Sequence, residues 1–307
     1  MSQFIFILKS IILPIFIIIF IGAVLQKKYK LHIPTLSKVQ IYVLVPALVF
    51  HKIYTSTLSM ALIMKVSIYT FILFMMMMLI STGVSRTFKF QRSKEKAFIN
   101  AVTLRNTGNY GIPLITLLYA GAENDYALSV HMIVVITSTV LMYTIGLYNA
   151  SSGKYSGRVA LRNIRGIPTM YMILIAGGLR VLSIDVPEQL LSPVVFLSNG
   201  VVPVALLALG AQLAESKFSV GDVSVYVANT LRLLGSPILA LLLCKLMQMD
   251  AISTQVLVIG AATPTAVNSL LLAIEFDGDA EYASQTIFMS TLLSAVTVSG
   301  VIFMVMA

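Results

Sequence analysis

Long apolar runs recur along almost the whole chain, and charged or turn-forming residues separate them. A helix that spans a membrane needs about 20 predominantly apolar residues. Hydrophobic residues make up 58 % of the 307 residues and charged residues only 11 %, whereas about 25 % of the residues of a soluble domain are charged. This composition excludes a disordered chain, a nucleic-acid-binding domain and an ordinary soluble enzyme. It predicts an all-α protein that crosses the membrane many times.

The apolar runs predict ten spans, which leave too few residues for a soluble domain of useful size. We therefore expect the functional site to lie within the membrane. The predicted spans cover approximately residues 4–25, 37–57, 62–84, 96–120, 126–148, 168–184, 193–214, 222–247, 252–275 and 282–306.

Basic residues concentrate in alternate loops. One set of loops contains 14 of the 21 lysine and arginine residues, and cytoplasmic loops carry such an excess. We therefore predict that this set faces the cytoplasm and that both termini lie outside it. As a separate expectation, the membrane is the inner (plasma) membrane of the cell. The basic residues of the set are Lys27, Lys28, Lys30, Lys38, Arg86, Lys89, Arg92, Lys94, Lys96, Lys154, Arg158, Arg162, Arg165 and Lys217.

Three proline residues recur in the same order in each half of the chain. We predict two five-span repeats, residues 1–148 and 168–307, joined by a cytoplasmic linker, 149–167. Because each repeat has an odd number of spans, the two insert with opposite orientations, as in many secondary transporters. A chance match is the alternative, since membrane helices often contain proline. The pairs are Pro14 with Pro168, Pro46 with Pro203, and Pro113 with Pro264.

The fourth and ninth predicted spans contain residues that break helices. Glycine costs about 1 kcal/mol and proline about 3 kcal/mol relative to alanine inside a helix. Backbone freed by a break must line a cavity or be buried in protein, so broken helices in both halves indicate a binding site. Simple kinks with satisfied polar neighbours are the alternative. The break residues are Gly108, Gly111 and Pro113 in span four and Pro264 in span nine.

We predict that an anion binds between the two breaks. Pro113 and Pro264 each suit the first turn of a second half-helix, whose N-terminus carries a partial positive charge. Amide and hydroxyl side chains beside the breaks could donate hydrogen bonds to the anion. These side chains are Asn106, Thr107, Asn109, Asn268 and Ser269.

Two arginine residues lie at membrane depth, where charged side chains are costly and functional by default. Arg105 directly precedes the first break, and Arg232 lies near the middle of span eight. Each guanidinium could pair with a substrate carboxylate through two parallel hydrogen bonds. Alternatively, Arg105 caps the first half-helix, and Arg232 is an internal strut to neighbouring backbone.

Aspartate and glutamate are absent from the middle of every predicted span. A carboxylate-based proton or sodium relay therefore has no candidate residue, and we expect no metal site and no cofactor. His131 in span five could titrate, but a lone neutral histidine is more often a packing residue. Export of a monoanion could run without a coupling ion, because an interior-negative potential supplies about 2.3 kcal/mol per 100 mV.

The segment NTGNYGIPLI of span four resembles the crossover of the auxin efflux carrier family, which includes plant auxin exporters and bacterial permeases for malate or malonate. The resemblance implies an all-α membrane protein of ten transmembrane helices in two inverted five-helix repeats, with helices four and nine broken and crossing. It implies that Asn106 binds carboxylate and that Pro113 and Pro264 are the crossover prolines. Other similar segments are YVLVPALVF, VPVALLALGAQLA and TPTAVNSLLLAIEFDGDAEYASQTIFMSTLLSAVTV.

The resemblance also implies a division of labour among the spans. Spans one, two, six and seven form a scaffold that joins two copies into a homodimer in the lipid membrane, and the other spans form a mobile transport unit. We therefore predict an alternating-access carrier of a small carboxylate such as malate, malonate or an auxin-like acid. We predict no enzymatic activity, since the chain matches no catalytic motif. A sodium- or proton-coupled carrier of a cation or another organic solute, and an anion channel, remain as alternatives.

Overall fold

A computed structural model describes residues 2–56, 58–119, 124–151, 166–216 and 221–306. In these ranges the chain is almost entirely helical and contains no β-strand. In chain order the helices are α1 (Phe4–Tyr29), α2 (Ile33–Tyr54), α3 (Met60–Thr87), α4 (Arg92–Thr103), α5 (Ile112–Leu118), α6 (Asp125–Ala150), α7 (Pro168–Val181), α8 (Glu188–Ala214), α9 (Val223–Leu246), α10 (Ala251–Ala261), α11 (Asn268–Glu275) and α12 (Ala280–Met306).

Seven of these helices are long and apolar enough to cross a membrane: α1, α2, α3, α6, α8, α9 and α12. The prediction of an all-α membrane protein is thus confirmed for the described residues. Predicted span six corresponds to the shorter helix α7, and predicted spans four and nine are each divided into two short helices. Most of the predicted linker 149–167, with Lys154, Arg158, Arg162 and Arg165, lies outside the described residues, as does Lys217.

The first break separates α4 from α5. The α4 helix ends at Thr103 because Leu104 takes an extended conformation, and Asn106 is also non-helical. Thr107–Gly111 then form a wide helical turn that runs directly into α5. Pro113 is the second residue of α5, which directly follows this wide turn.

The second break separates α10, which ends at Ala261, from α11, which begins at Asn268. Pro264 lies in the middle of this break, so the prediction that it belongs to the first turn of the second half-helix is wrong. The physical reason is that the backbone around Pro264 is used to join the two breaks. Asn106 N donates a hydrogen bond to Pro264 O, and Ala266 N donates one to Leu104 O, each at 2.9 Å.

These two hydrogen bonds hold the breaks side by side in antiparallel directions, with Arg105 opposite Thr265. The bridge satisfies backbone groups that neither broken helix can satisfy alone, as buried backbone in a membrane requires. It also brings residues that are 160 positions apart in sequence to the same point in the fold.

Helices α1 and α8 approach each other very closely. A Cβ atom on Gly210 would lie 1.9 Å from Ile19 O, and one on Gly22 would lie 2.3 Å from Leu207 O. Only glycine fits at both positions, and such small-residue contacts are a common way to pack membrane helices. The α8 helix also packs against the wide turn Thr107–Gly111, so this rigid pair supports one side of the first break.

Candidate substrate site

A cavity of about 170 Å³ opens beside the bridge between the two breaks. A cavity that just holds one water molecule has a volume of about 10–15 Å³. This cavity is therefore large enough for a small organic molecule. Its walls come from both breaks, from the adjoining ends of α4 and α5, and from α2, α3, α6, α7, α8 and α11. Among the described residues that line it, Arg105 is the one charged side chain, and none is acidic.

Arg105 is 7 % exposed, and its Nη1 and Nη2 atoms have no hydrogen-bond partner in the described part of the chain. Capping of the first half-helix would use these atoms, so the geometry gives the capping alternative no support. A buried polar group without a partner is costly, and a buried charge more so. A carboxylate can accept hydrogen bonds from both Nη atoms at once.

Asn106 has its backbone fixed on both sides and its side-chain amide free. Its N–H donates to Pro264 O, and its carbonyl accepts from Gly111 N at 2.9 Å. Its Nδ2 atom is buried without a partner. Ser138 on α6 also lines the cavity with a buried hydroxyl that lacks a described partner. Arg105, Asn106 and Ser138 therefore present unused donors to one cavity, which is the arrangement that an anion requires.

Four other predicted residues also line the cavity: Thr107, Gly108, Asn109 and Asn268. The Asn109 side-chain oxygen accepts a hydrogen bond of 2.7 Å from Gln40 Nε2 on α2. Asn268 Nδ2 lies 3.2 Å from the sulfur of Met142, which is a weak acceptor. These amides hold the walls together and retain some capacity for further hydrogen bonds.

The remaining predicted residues do not line the cavity. The Ser269 hydroxyl donates to Ala266 O at 2.8 Å, within its own helical turn. Pro113 and Pro264 shape the breaks, as described above. Gly111 makes room for a side chain from another helix, because a Cβ on Gly111 would lie 2.7 Å from His131 Nε2.

Arg232 is fully buried, but the structure does not bring it to the cavity. Its Nη1 atom donates to Val102 O at 2.8 Å, and its Nη2 atom donates to Ala261 O and to the Ser236 hydroxyl. These two carbonyls belong to the last turns of α4 and α10, where carbonyl groups have no partner within the helix. Of the two roles considered for Arg232, the geometry supports the strut.

The sequence favours a packing role for His131, yet the structure shows that its side chain contacts the first break directly. Its Nε2 atom lies 2.9 Å from Thr107 O, and its Nδ1 atom is buried without a described partner. Neither His131 nor Ser138 belongs to a recognisable motif. The one sequence signal is that glycine occupies positions 111 and 260, the two positions that face the imidazole.

The structure joins two interrupted helices at their breaks, and donors without partners lie beside a cavity between apolar helices. This combination is typical of a membrane transport protein. The family model described as "Membrane transport protein" matches residues 6–302. The chain therefore belongs to this family, which is the auxin efflux carrier family that the sequence motifs predicted.

Similar proteins carry transporter names. The chain is 28 % identical over 276 residues to an "Uncharacterized transporter" of Methanothermobacter thermautotrophicus, with 86 % of each chain covered. It is 23 % identical over 277 residues to an uncharacterized transporter of Methanocaldococcus jannaschii, with 87 % of this chain and 88 % of the relative covered. It is also 30 % identical over 125 residues to a "Putative malonate transporter" of Rhizobium meliloti, with 40 % of this chain and 39 % of the relative covered.

Proposed function

We propose that this protein is a secondary carrier of a small organic anion, such as malate, malonate or an auxin-like acid. In this proposal one carboxylate of the substrate pairs with the Arg105 guanidinium and accepts a further hydrogen bond from the Asn106 amide. The observation that carries the proposal is that both Arg105 Nη atoms are buried without partners in a cavity whose described lining is free of acidic residues.

A cation would be repelled by such a lining, because Arg105 contributes a full positive charge in a medium of low dielectric constant. This argues against the alternative of a cation carrier. The printed name of the Rhizobium relative makes malonate a natural first acid to test.

For the transport cycle, we propose alternating access by two units that move relative to each other. Residues 1–148 and 168–307 would be inverted repeats of five spans, and each repeat would contribute one broken helix. Helices α1, α2, α7 and α8 would form the scaffold and the site of homodimerisation. The close α1–α8 contact at Gly22 and Gly210 supports a rigid scaffold.

Among the described residues, two side-chain contacts join the helices of the proposed scaffold to those of the proposed transport unit. Gln40 on α2 donates to Asn109 in the first break, and Lys52 on α2 forms an ion pair with Asp125 on α6. Movement of one unit past the other would break both contacts. We further propose the inner (plasma) membrane as the location. The distribution of basic residues supports an orientation with both termini outside the cytoplasm.

The proposal is tested by charge movement in proteoliposomes that contain the purified protein in sodium-free buffer. The challenge is a panel of acids: malonate, malate, succinate, propionate and indole-3-acetate. We expect a saturable current with at least one acid, at a turnover of a few per second, and loss of this current in Asn106→Ala. A throughput orders of magnitude higher would indicate the anion channel instead.

Binding of the same acids to the purified variants separates the site from the transport cycle. Asn106→Ala removes one donor, and we expect it to abolish detectable binding without changing the fold. Thr139→Val is the matched control, because Thr139 lines the same cavity but its hydroxyl already donates to Val135 O. Unchanged affinity in Asn106→Ala would contradict the proposed site. If no acid binds to the unmodified protein, the proposed class of substrate is wrong.

A further inference from the structure

Gln212 on α8 gives the cavity a hydrogen-bond acceptor in addition to its donors. Gln212 lines the cavity, and its Oε1 atom is buried without a hydrogen-bond partner in the described part of the chain. A carboxamide oxygen accepts hydrogen bonds and donates none, and a buried acceptor without a partner is costly. A ligand that donates a hydrogen bond to Oε1 therefore gains affinity.

The packing of α8 explains why Gln212 points to the cavity. Gly210 faces α1, because a Cβ on Gly210 would lie 1.9 Å from Ile19 O. Successive residues of an α-helix are rotated by about 100°, so Gln212 lies on nearly the opposite side of α8 from Gly210. The same helix packs against the wide turn Thr107–Gly111, which directly follows Asn106. Gln212 and the first break therefore adjoin the same cavity.

The charge of the cavity limits the charge of its ligand. Arg105 is the one charged side chain among the described residues that line it, and the starts of α5 and α11 add only partial positive charge. One carboxylate neutralises this guanidinium. A second carboxylate would be a buried charge without a partner, which is costly. The cavity therefore favours a ligand with a single negative charge.

We propose that the carrier selects monoanions that also carry a hydrogen-bond donor, with the carboxylate at Arg105 and the donor directed to Gln212 Oε1. The inference rests on the proposed function, because it requires a carboxylate at Arg105. It names the class of substrate: hydroxy acids, acids with an N–H group, and dicarboxylic acids that retain one of their two protons. Gln212 is the residue that selects for the donor.

A dicarboxylic acid would then cross the membrane with its own proton. Its singly protonated form has one carboxylate for Arg105 and one carboxyl O–H for Gln212. Transport would be linked to protons although no side chain of the protein takes up or releases one. This gives a route to proton-linked transport in a chain whose predicted spans lack a central carboxylate.

The test compares acids of nearly the same shape by isothermal titration calorimetry on the purified full chain. Malonamate and acetoacetate are both monoanions near neutral pH, and they differ in that malonamate has an amide NH₂ group where acetoacetate has a methyl group. We expect malonamate to bind at least about tenfold more tightly, because only malonamate can donate to Gln212 Oε1.

Malonate is the third acid, and its pH dependence tests the charge of the ligand. Above the second pKa of malonic acid, each rise of one pH unit lowers the concentration of hydrogen malonate about tenfold. We expect the affinity for malonate to fall in the same proportion, and the affinity for malonamate to stay constant over the same range. A titrating group on the protein would instead change both affinities together.

Gln212→Met removes the acceptor and keeps an unbranched side chain of similar length. We expect this variant to bind malonamate and acetoacetate with equal affinity. Thr139→Val is the matched control, because Thr139 lines the same cavity but its hydroxyl already donates to Val135 O. The control should keep the preference of the unmodified protein for malonamate.

Three results would overturn the inference: equal affinities of the unmodified protein for malonamate and acetoacetate, a malonate affinity that does not depend on pH, and a preference for malonamate that persists in Gln212→Met. The first two need no variant, so they give an answer even if Gln212→Met does not fold. Failure of all three acids to bind would also overturn the inference. The proposed function fails separately, if no acid of the wider panel binds.

Discussion

The two breaks face each other across the same backbone bridge, but they use their polar groups differently. In the second break, the Thr263 hydroxyl donates to Gly260 O at 2.8 Å, and the Thr265 hydroxyl donates to Ala101 O at 2.9 Å. In the first break, the side chains of Arg105 and Asn106 have buried donors without partners. A broken helix alone therefore does not supply donors for a ligand, and only the first break has side-chain donors without partners among the described residues.

The two buried arginine residues show the same contrast. Arg232 directs its Nη atoms to the carbonyl ends of α4 and α10, and so holds the first halves of both broken helices. Arg105 lies beside the cavity with both Nη atoms unused. One guanidinium stabilises the ends of two helices, and the other has unused donors beside the cavity.

The largest effect on stability is expected for Arg232→Met. The substitution removes donors from two helix ends, and hydrogen bonds to a charged group contribute about 1.5–3 kcal/mol each. We expect the free energy of unfolding to fall by about 3 kcal/mol, measured by chemical or thermal denaturation in detergent. Arg180→Met is the control, because the described contact of Arg180 is a single bond to Leu58 O. Equal losses in the two variants would contradict the role of Arg232 as a strut.

The next largest effect, on binding rather than stability, is expected for Arg105→Gln. Removing one partner of a buried charge pair costs about 2–5 kcal/mol, so affinity for the acid should fall at least about thirtyfold. The unfolding temperature without ligand should not fall, because the variant removes a buried charge that has no counter-ion. Direct binding and thermal denaturation measure the two effects. A variant that binds normally but unfolds early would reverse the roles assigned to the two arginine residues.

A smaller effect is expected for Thr265→Val in the second break. The variant loses the hydrogen bond to Ala101 O, which contributes about 1 kcal/mol to stability. Because Thr265 lies outside the cavity lining, affinity for the acid should stay the same. A large loss of affinity in this variant would show that the second break also binds the ligand.

The smallest effect is expected at Asp222, which lies outside both breaks, at the start of α9. Burial favours its neutral form, but hydrogen bonds from Lys94 and Ser224 outweigh burial and hold the pKa of the carboxyl below its ordinary value. Its contribution to stability is therefore present above the ordinary pKa and is lost as the pH falls through the lower, folded-state value. Asp222→Asn should remove this part of the acid dependence, by less than about 1 kcal/mol, and leave binding unchanged.

Local signals were enough to locate both breaks and the residues that we propose bind the substrate. Glycine, asparagine and proline disfavour a helix wherever the helix lies, so the break at Gly108 and Gly111 was predictable. Arg105 and Asn106 are adjacent to that break in sequence, and both were predicted. Ser138 and His131 were not predicted as site residues, because they reach the first break from a different helix.

The sequence by itself determined that the chain is a helical membrane protein of this transporter family, and where its helices are interrupted. Apolar runs and helix-breaking residues act within a few positions of themselves, which is why these conclusions needed no structure. The tertiary structure alone decided how the polar groups are paired. Arg105 and Arg232 look alike in sequence, and they differ because only Arg232 has the carbonyls of α4 and α10 within reach. Pairing depends on which distant segments meet, and local composition does not encode that.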